Sequence, residues 1–320
     1  MSENAAMINE EPDPIANWLT KVPPDRPVLI AGPTASGKSG LALALARAQG
    51  RQVVNADALQ VYSCWRVLTA RPSPAEEAQA PHRLYGHVSP DQDYSVGHWL
   101  REVAELLKAD PRPVIVGGTG LYFTALTAGL AEIPPTPPEI RALADRQMAE
   151  RGHDALLAEL DGATAARIDR RNPVRIQRAW EVLQATGRGL AAWQDETGPP
   201  VLPLESAHAL VLRPGSDWLD ARITRRFGQM IQDGALHEVQ AVRPIWAANR
   251  PWARAIGAPE LMAHLDGRLT LDVAVDAACT ATRQYAKRQR TWMRNRLGHW
   301  PAIDLPPMLR PDQGNLDAKR

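Results

Sequence analysis

Cysteine is almost missing from this 320-residue chain. Cys64 and Cys279 stand far apart without C-x-x-C spacing, which excludes a disulfide framework and a cysteine-built zinc finger. Long apolar runs are missing too: nothing approaches the length of a membrane span, although apolar residues make up 44% of the chain. The segment Met1–Asn17 is acidic and polar and lacks the basic-then-apolar order of a secretory signal. The expectation is a cytoplasmic protein without membrane association. Charge of one sign is not in excess either. A net charge of +1 leaves the chain as a whole uncommitted to nucleic acid, so any such commitment has to be local. His82, His87 and His98 show no metal-ligand spacing and read as structural.

What is present begins with Gly32-Pro33-Thr34-Ala35-Ser36-Gly37-Lys38-Ser39, a match to G-x-x-x-x-G-K-[ST]. Apolar Val28–Ala31 precedes it and a helix-forming run through Arg47 follows. A buried strand delivers the chain to Gly32, and the first N–H groups of the helix face a phosphate. The backbone then curls around the anion, Lys38 reaches the terminal phosphates, and the Ser39 hydroxyl is placed to ligate Mg²⁺. A Gly-rich turn with a chance lysine is the plainer reading, and the flanking strand and helix argue against it. Something carrying a di- or triphosphate is expected to bind here.

Gln52–Asp57 reads as a second strand with a carboxylate at its carboxyl end, where parallel α/β sheets hold ligands. Asp57 is therefore a functional candidate, with a cap on the following helix as the alternative. The strand Pro113–Val116 runs into Gly117-Gly118-Thr119-Gly120 and lacks the terminal Asp common in phosphoryl-transferring P-loop proteins. Its glycines allow close backbone approach of a ligand.

The implied fold class is α/β, a P-loop NTPase-like parallel sheet flanked by helices, with a small all-helical insertion domain. The proline-rich stretch 134–138 and Gly198-Pro199-Pro200 bound that insertion. The expected division is a flexible N-terminal arm over 1–25, a core over 26–134 and 205–300, the insertion over 135–204 and a loose tail over 301–320. The polar segment 69–90 reads as a loop or lid. Arg167, Arg170, Arg171, Arg175 and Arg178 are accompanied by Asp169 as the one acid, a pattern that suits a solvated face or a phosphate backbone. Arg222 and Arg226 share a helix face and suit a phosphate clamp. The run Thr280–Arg296 carries six cations and no acid, with Tyr285 and Trp292 interleaved.

Four stretches, Gly32–Ser39, Asp57–Tyr62, Gly117–Phe123 and Tyr285–Trp292, together resemble the bacterial tRNA dimethylallyltransferase family in order and spacing. The resemblance implies transfer of a dimethylallyl group from dimethylallyl diphosphate to N6 of the adenosine 3′-adjacent to the anticodon of tRNA. Pyrophosphate is released, and Mg²⁺ is the implied cofactor. Asp57 is then the general base, Thr119 lies where donor and base meet, and Arg226 neutralises the leaving group. Gly32, Pro33, Thr34, Ala35, Ser36, Gly37, Lys38, Ser39 and Arg222 surround the diphosphate. The tRNA anticodon stem-loop is expected to meet Asp57, Ala58, Leu59, Gln60, Thr119, Arg141, Val174, Arg175, Ile176, Gln177 and Arg178. It is further expected at Arg254, Ala255, Ile256, Gly257, Ala258, Pro259, Lys287, Arg288 and Arg290. The implied enzyme is a monomer with no obligate protein partner. Two positions depart from the family pattern: Asp57-Ala58 where Asp-Ser is frequent, and Gly257-Ala258-Pro259 where Gly-Tyr-Arg is frequent.

Three other readings share parts of this pattern. A small-molecule P-loop kinase has the same loop but no use for the basic terminal helix. An isopentenyltransferase acting on free adenine nucleotides has no RNA for the insertion to grip. A nucleotide-gated RNA-binding protein performs no chemistry.

Overall fold

The computed structural model describes residues 14–305. They form two compact units, one spanning Ala125–Val201 and the other the rest. The larger unit holds a six-stranded parallel sheet: β1 (Val28–Ala31), β2 (Val53–Asn55), β3 (His82–Arg83), β4 (Val114–Gly117), β5 (His208–Pro214) and β6 (Ala302–Leu305). The strand order is β3-β2-β4-β1-β5-β6. β1, β2 and β4 are buried along their whole length and rich in Val and Ile, as the strands of a helix-flanked parallel sheet must be. The register aligns Ala31 with Gly117 and Asn55 with Val116. The chain therefore leaves these three strands at one edge, the edge where open α/β sheets hold ligands.

Helices α1 (Pro14–Leu19), α2 (Lys38–Gln49), α3 (Pro74–Glu77), α4 (Val96–Ala109) and α5 (Gly120–Ala128) alternate with the first strands. α2 buries Leu41, Ala42, Leu45 and Ala46 in a cluster with Val28, Ile30, Val114 and Val116. Each leucine there is worth about 1.5–3 kcal/mol of burial. The second unit is all-helical: α6 (Pro138–Ala158), α7 (Gly162–Arg167), α8 (Pro173–Thr186) and α9 (Leu190–Asp195). Its core joins Ala144, Leu156, Ile176 and Trp180. The chain then returns through α10 (Ser216–Gln232), α11 (Ala235–Val242), α12 (Ala258–Leu265) and α13 (Leu271–Arg296). α11, α12 and the first turns of α13 pack around Val61, Tyr62, Trp65 and Leu68.

Three stretches differ from the sequence expectation. Residues 14–25 are not a free arm: Pro14–Leu19 are helical as α1. Trp18, 8% exposed, and Val22 then join the sheet cluster. Counting prolines detects the loss of donors but not this burial. Residues 302–305 are likewise not loose, because β6 pairs with β5 from Val211↔Ala302 to Pro214↔Leu305. The segment 69–90 contains α3, closed by a capping box between Ser73 and Glu76, and the edge strand β3, two residues being too few for a periodicity. Residues 1–13 of the expected arm and 306–320 of the expected tail lie outside the described residues.

Arg51 ties the proline-rich entry to the sheet. Fully buried, it donates to the carbonyls of Pro23, Arg26 and Arg112 and to Gln49 Oε1. Replacing it by Met leaves those carbonyls unpaired in the interior. Arg51→Met is expected to lower unfolding free energy by about 3 kcal/mol, read by urea denaturation. A change under about 0.5 kcal/mol would show that the anchor is dispensable.

Candidate active site

The phosphate loop leaves β1 with the Gly32 N–H donating to the Gly117 carbonyl at 3.3 Å. Gly37 enters α2 at φ 88°, a left-handed conformation suited to glycine. Ala35 adopts φ 62°, which costs a residue with a Cβ about 1 kcal/mol or more. Tertiary contacts hold it there. Its methyl packs with Leu219, Ile223 and Ala286, and its carbonyl accepts from Arg222 Nε at 2.8 Å. The Ser36 hydroxyl, in a residue 2% exposed, is buried without a partner. Lys38 Nζ donates to the Pro33 carbonyl at 3.1 Å. Burial lowers its pKa to about 8; nearby Asp57 acts against that fall, and Arg226 adds to it.

Asp57 follows β2 in a turn braced from within. Asn55, fully buried, accepts the Asp57 N–H at 2.8 Å and donates to the carbonyls of Asp57 and Leu84. Asp57 Oδ1 accepts the Leu59 N–H at 3.0 Å. The Ala58 N–H donates to Thr119 Oγ1 at 2.9 Å, joining the ends of β2 and β4. The glycines after β4 make room for the protein's own chain, where a ligand was expected. A Cβ on Gly117 would sit 2.0 Å from the Ala56 carbonyl oxygen, one on Gly118 2.3 Å from Gln289 Nε2, and one on Gly120 2.1 Å from the Trp292 ring.

Thr34, Ala35, Asp57 and Arg226 line one cavity of about 80 Å³, with Thr69 beside them. Leu59, Leu68, Ile223, Phe227, Met230, Ile256 and Tyr285 give the same cavity an apolar wall. Arg226 Nη1 donates to Thr34 Oγ1 at 3.4 Å. Its pKa is lowered chiefly by burial, with Asp57 opposing and Arg222 adding to the fall. Arg222 lies over the Trp218 ring at 4.5 Å. Burial, aided by Asp57, raises the Tyr285 pKa and keeps the phenol neutral. Two half-buried cations near one carboxylate suit a polyanion paired with an apolar tail.

Gln289 is a residue the sequence reading missed. In α13 it is 5% exposed; its Oε1 accepts the Thr34 N–H at 2.8 Å and its Nε2 donates to the Gly118 carbonyl at 2.9 Å. The signal was its place on the buried stripe Ala278, Ala286, Gln289, Met293 within an otherwise basic run.

The other expected contact residues divide by exposure. Lys287, Arg288, Arg290, Arg254, Pro259, Arg141, Val174 and Arg175 are exposed, whereas Ile176, Ala255, Gly257 and Ala258 are buried and Ile256 lines the cavity. Gln60 spends its amide hydrogens on the carbonyls of Thr69 and Ala70, and Gln177 donates to Asp145 and Glu181. The arginine run in the helical unit is less one-signed than its sequence: Arg167 pairs with Asp195 at 2.6 Å and Arg178 with Glu181 at 3.6 Å. Arg170 and Arg171 remain exposed.

A family described as IPP transferase matches residues 60–296, and one described as Isopentenyl transferase matches residues 26–89. A tRNA dimethylallyltransferase of Cereibacter sphaeroides is 66% identical over 288 residues, covering 90% of this chain and 92% of the relative. One from Paracoccus denitrificans is 59% identical, covering 90% and 97%. The solved tRNA isopentenylpyrophosphate transferase of Bacillus halodurans is 29% identical with a TM-score of 0.62, covering 88% of this chain and 90% of that one. A eukaryotic dimethylallyltransferase acting on tRNA, at 22% identity and TM-score 0.74 over 88% and 74% of the two chains, shares the fold.

The lowered Lys38 pKa has a measurable sign. Below about pH 8 the free lysine is charged and attracts an anion; as pH rises through that value the charge is lost. Pyrophosphate affinity, by calorimetry, is expected to fall in the wild type relative to Lys38→Met as pH rises from about 7 to about 9.5. A wild-type to variant ratio that stays flat over this range would exclude Lys38 as the titrating contact.

Proposed function

The chain belongs to the IPP transferase family, and from that premise we propose that it transfers a dimethylallyl group from dimethylallyl diphosphate to N6 of the adenosine 3′-adjacent to the anticodon in tRNA, releasing pyrophosphate. The observation that carries this reading is the cavity itself. Its Thr34 and Arg226 suit a diphosphate, its apolar wall suits a five-carbon chain, and Asp57 stands on the same lining.

In the proposed reaction the N6 lone pair attacks the allylic carbon as the bond from that carbon to the diphosphate oxygen breaks. The bonding pair leaves with pyrophosphate. An exocyclic amine is a feeble acid, so Asp57 takes the N6 proton during or after attack. The Leu59 N–H orients that carboxylate, Asn55 braces the Asp57 backbone, and Thr119 ties its turn to β4. Lys38, Arg222 and Arg226, with the loop Gly32–Ser39, hold the leaving group; their charge matters most as the carbon–oxygen bond opens. No residue that activates water is needed, and an apolar wall that excludes water limits hydrolysis of the donor.

The donor set also suits Mg²⁺, which takes few protein ligands and completes its shell with phosphate oxygens and water. Ser39 is exposed in the first turn of α2 and would be the protein ligand. Among the described residues no group of three His, Cys, Asp or Glu is placed to hold a metal. When bound it would supply further positive charge against the leaving group.

The acceptor base is stacked in the anticodon loop and has to be extruded, as recognition of a single-stranded loop permits. Arg141, Val174, Arg175, Gln177, Arg178, Arg254, Pro259, Lys287, Arg288 and Arg290 are the proposed grips on tRNA. Asp57–Gln60 and Thr119 would meet the base itself. Buried Ile176, Ala255, Gly257 and Ala258 would shape the backbone on which their exposed neighbours stand. No described helix is long and apolar enough to cross a membrane. We assign the enzyme to the cytoplasm, acting as a monomer without an obligate protein partner.

Incubating the protein, Mg²⁺, unmodified tRNA and labelled dimethylallyl diphosphate, with AMP as a parallel acceptor, should label adenosine in tRNA alone. Label on AMP, or ATP consumption with no label transferred, would reject the reading. Asp57→Ala should lower product formation by about 10²–10⁴-fold with tRNA affinity retained. tRNA affinity should fall about ten-fold or more between roughly 50 and 200 mM salt, because several phosphates are neutralised. A flat salt response by filter binding would remove the exposed basic residues from the footprint.

A further inference from the structure

We propose that Gln289 is a positioning residue whose side-chain amide sets the register between the phosphate loop and the β4 turn that carries Thr119, and so aligns the donor with the general base. The inference rests on the transferase reading, since that reaction needs two sites held in register. Gln289 sits on α13, and its amide bridges the two segments just beyond their last backbone contacts, the Ala31↔Gly117 pairing and the Gly32 N–H to the Gly117 carbonyl. Thr34 N–H reaches its oxygen at 2.8 Å, and its nitrogen reaches the Gly118 carbonyl at 2.9 Å.

The chemistry of the position is specific. A side chain here has to offer an acceptor to one backbone group and a donor to another, in a site 5% exposed and without adding charge. The bridge continues on both sides. Thr34 Oγ1 accepts from Arg226, and on the other side Thr119 accepts the N–H next to Asp57. Trp292, on the same helix, occupies the space where a Gly120 side chain would stand. α13 thus holds both ends of the Gly118–Gly120 turn. The titratable and charged groups around the amide are Asp57, whose carboxylate lies against Gly118, Tyr285 one turn earlier on α13, and Arg226 across the loop.

Two variants separate positioning from mere packing. Gln289→Leu keeps the bulk and removes both bonds. Its kcat in the labelled-donor assay is expected to fall about 10²-fold, the scale of a displacement near 1 Å, while KM for tRNA stays within about threefold. Gln289→Glu retains the acceptor, but its carboxylate cannot donate to Gly118. Protonation restores an isostere of the amide, with O–H to Gly118 and C=O to Thr34. Its kcat relative to wild type at the same pH is therefore expected to rise about ten-fold or more from about pH 8 to pH 5.5, while the Gln289→Leu ratio stays flat. If Gln289→Leu is too unstable to assay, the Gln289→Glu series decides alone. A Gln289→Leu kcat within about threefold of wild type, or a Gln289→Glu ratio indifferent to pH, overturns the proposal. Wild-type protein that leaves tRNA unlabelled overturns the transferase reading along with it, whereas labelled tRNA with indifferent variants overturns this inference alone.

Discussion

The site depends on one close approach. The Ala56 carbonyl oxygen lies where a Cβ on Gly117 would be, 2.0 Å from that point. Only a residue without a side chain lets the end of β2 come so near the end of β4. From that contact the Thr119 N–H reaches Ala56 at 3.2 Å, and the Ala58 N–H reaches Thr119 Oγ1. The turn carrying Asp57 is thereby closed against the turn after β4. Parallel pairing supplies the rest, since the aligned register of β1 and β4 brings the phosphate loop to the same edge.

Electrostatics then give this edge its chemistry. Lys38 and Arg226 are held against burial, which lowers the pKa of each; Asp57 opposes the fall at both, joined at Arg226 by Glu76. Such an arrangement is costly while the site is empty and becomes favourable when a polyanion enters. Partial burial strengthens each contact with a leaving diphosphate, because bulk water competes less for it. The Leu59 N–H holds the Asp57 carboxylate and Asn55 holds its backbone; among the described residues no cation pairs with it at hydrogen-bonding distance.

Pairing also decides which basic residues remain available to a nucleic acid. In the helical unit Arg167 and Arg178 have acidic partners, contributed by residues outside the run that contains them. The exposed Arg167–Asp195 pair is worth at most about 1 kcal/mol and exchanges readily for a phosphate, whereas the partner of Arg178, Glu181, is buried. On α13 the division is by helix face: Lys287, Arg288 and Arg290 are exposed, and Gln289 between them is buried.

The order of strands and helices around Gly32–Ser39, the carboxylate after β2 and the basic character of α13 were legible in the sequence. Each is a local pattern: an apolar run, a phosphate-loop spacing, a residue type at a strand end. Tertiary structure alone decided that Trp18 and Val22 dock and that residues 302–305 complete the sheet, because those gains come from partners distant in the chain. It also decided that the glycines after β4 receive Ala56, Gln289 and Trp292 where a ligand had been expected, and that Gln289 meets Thr34 across 255 positions of sequence. A glycine declares that something comes close, and burial declares that a polar group must be paired. Which atom comes close and which group does the pairing are settled only when the helices pack onto the sheet.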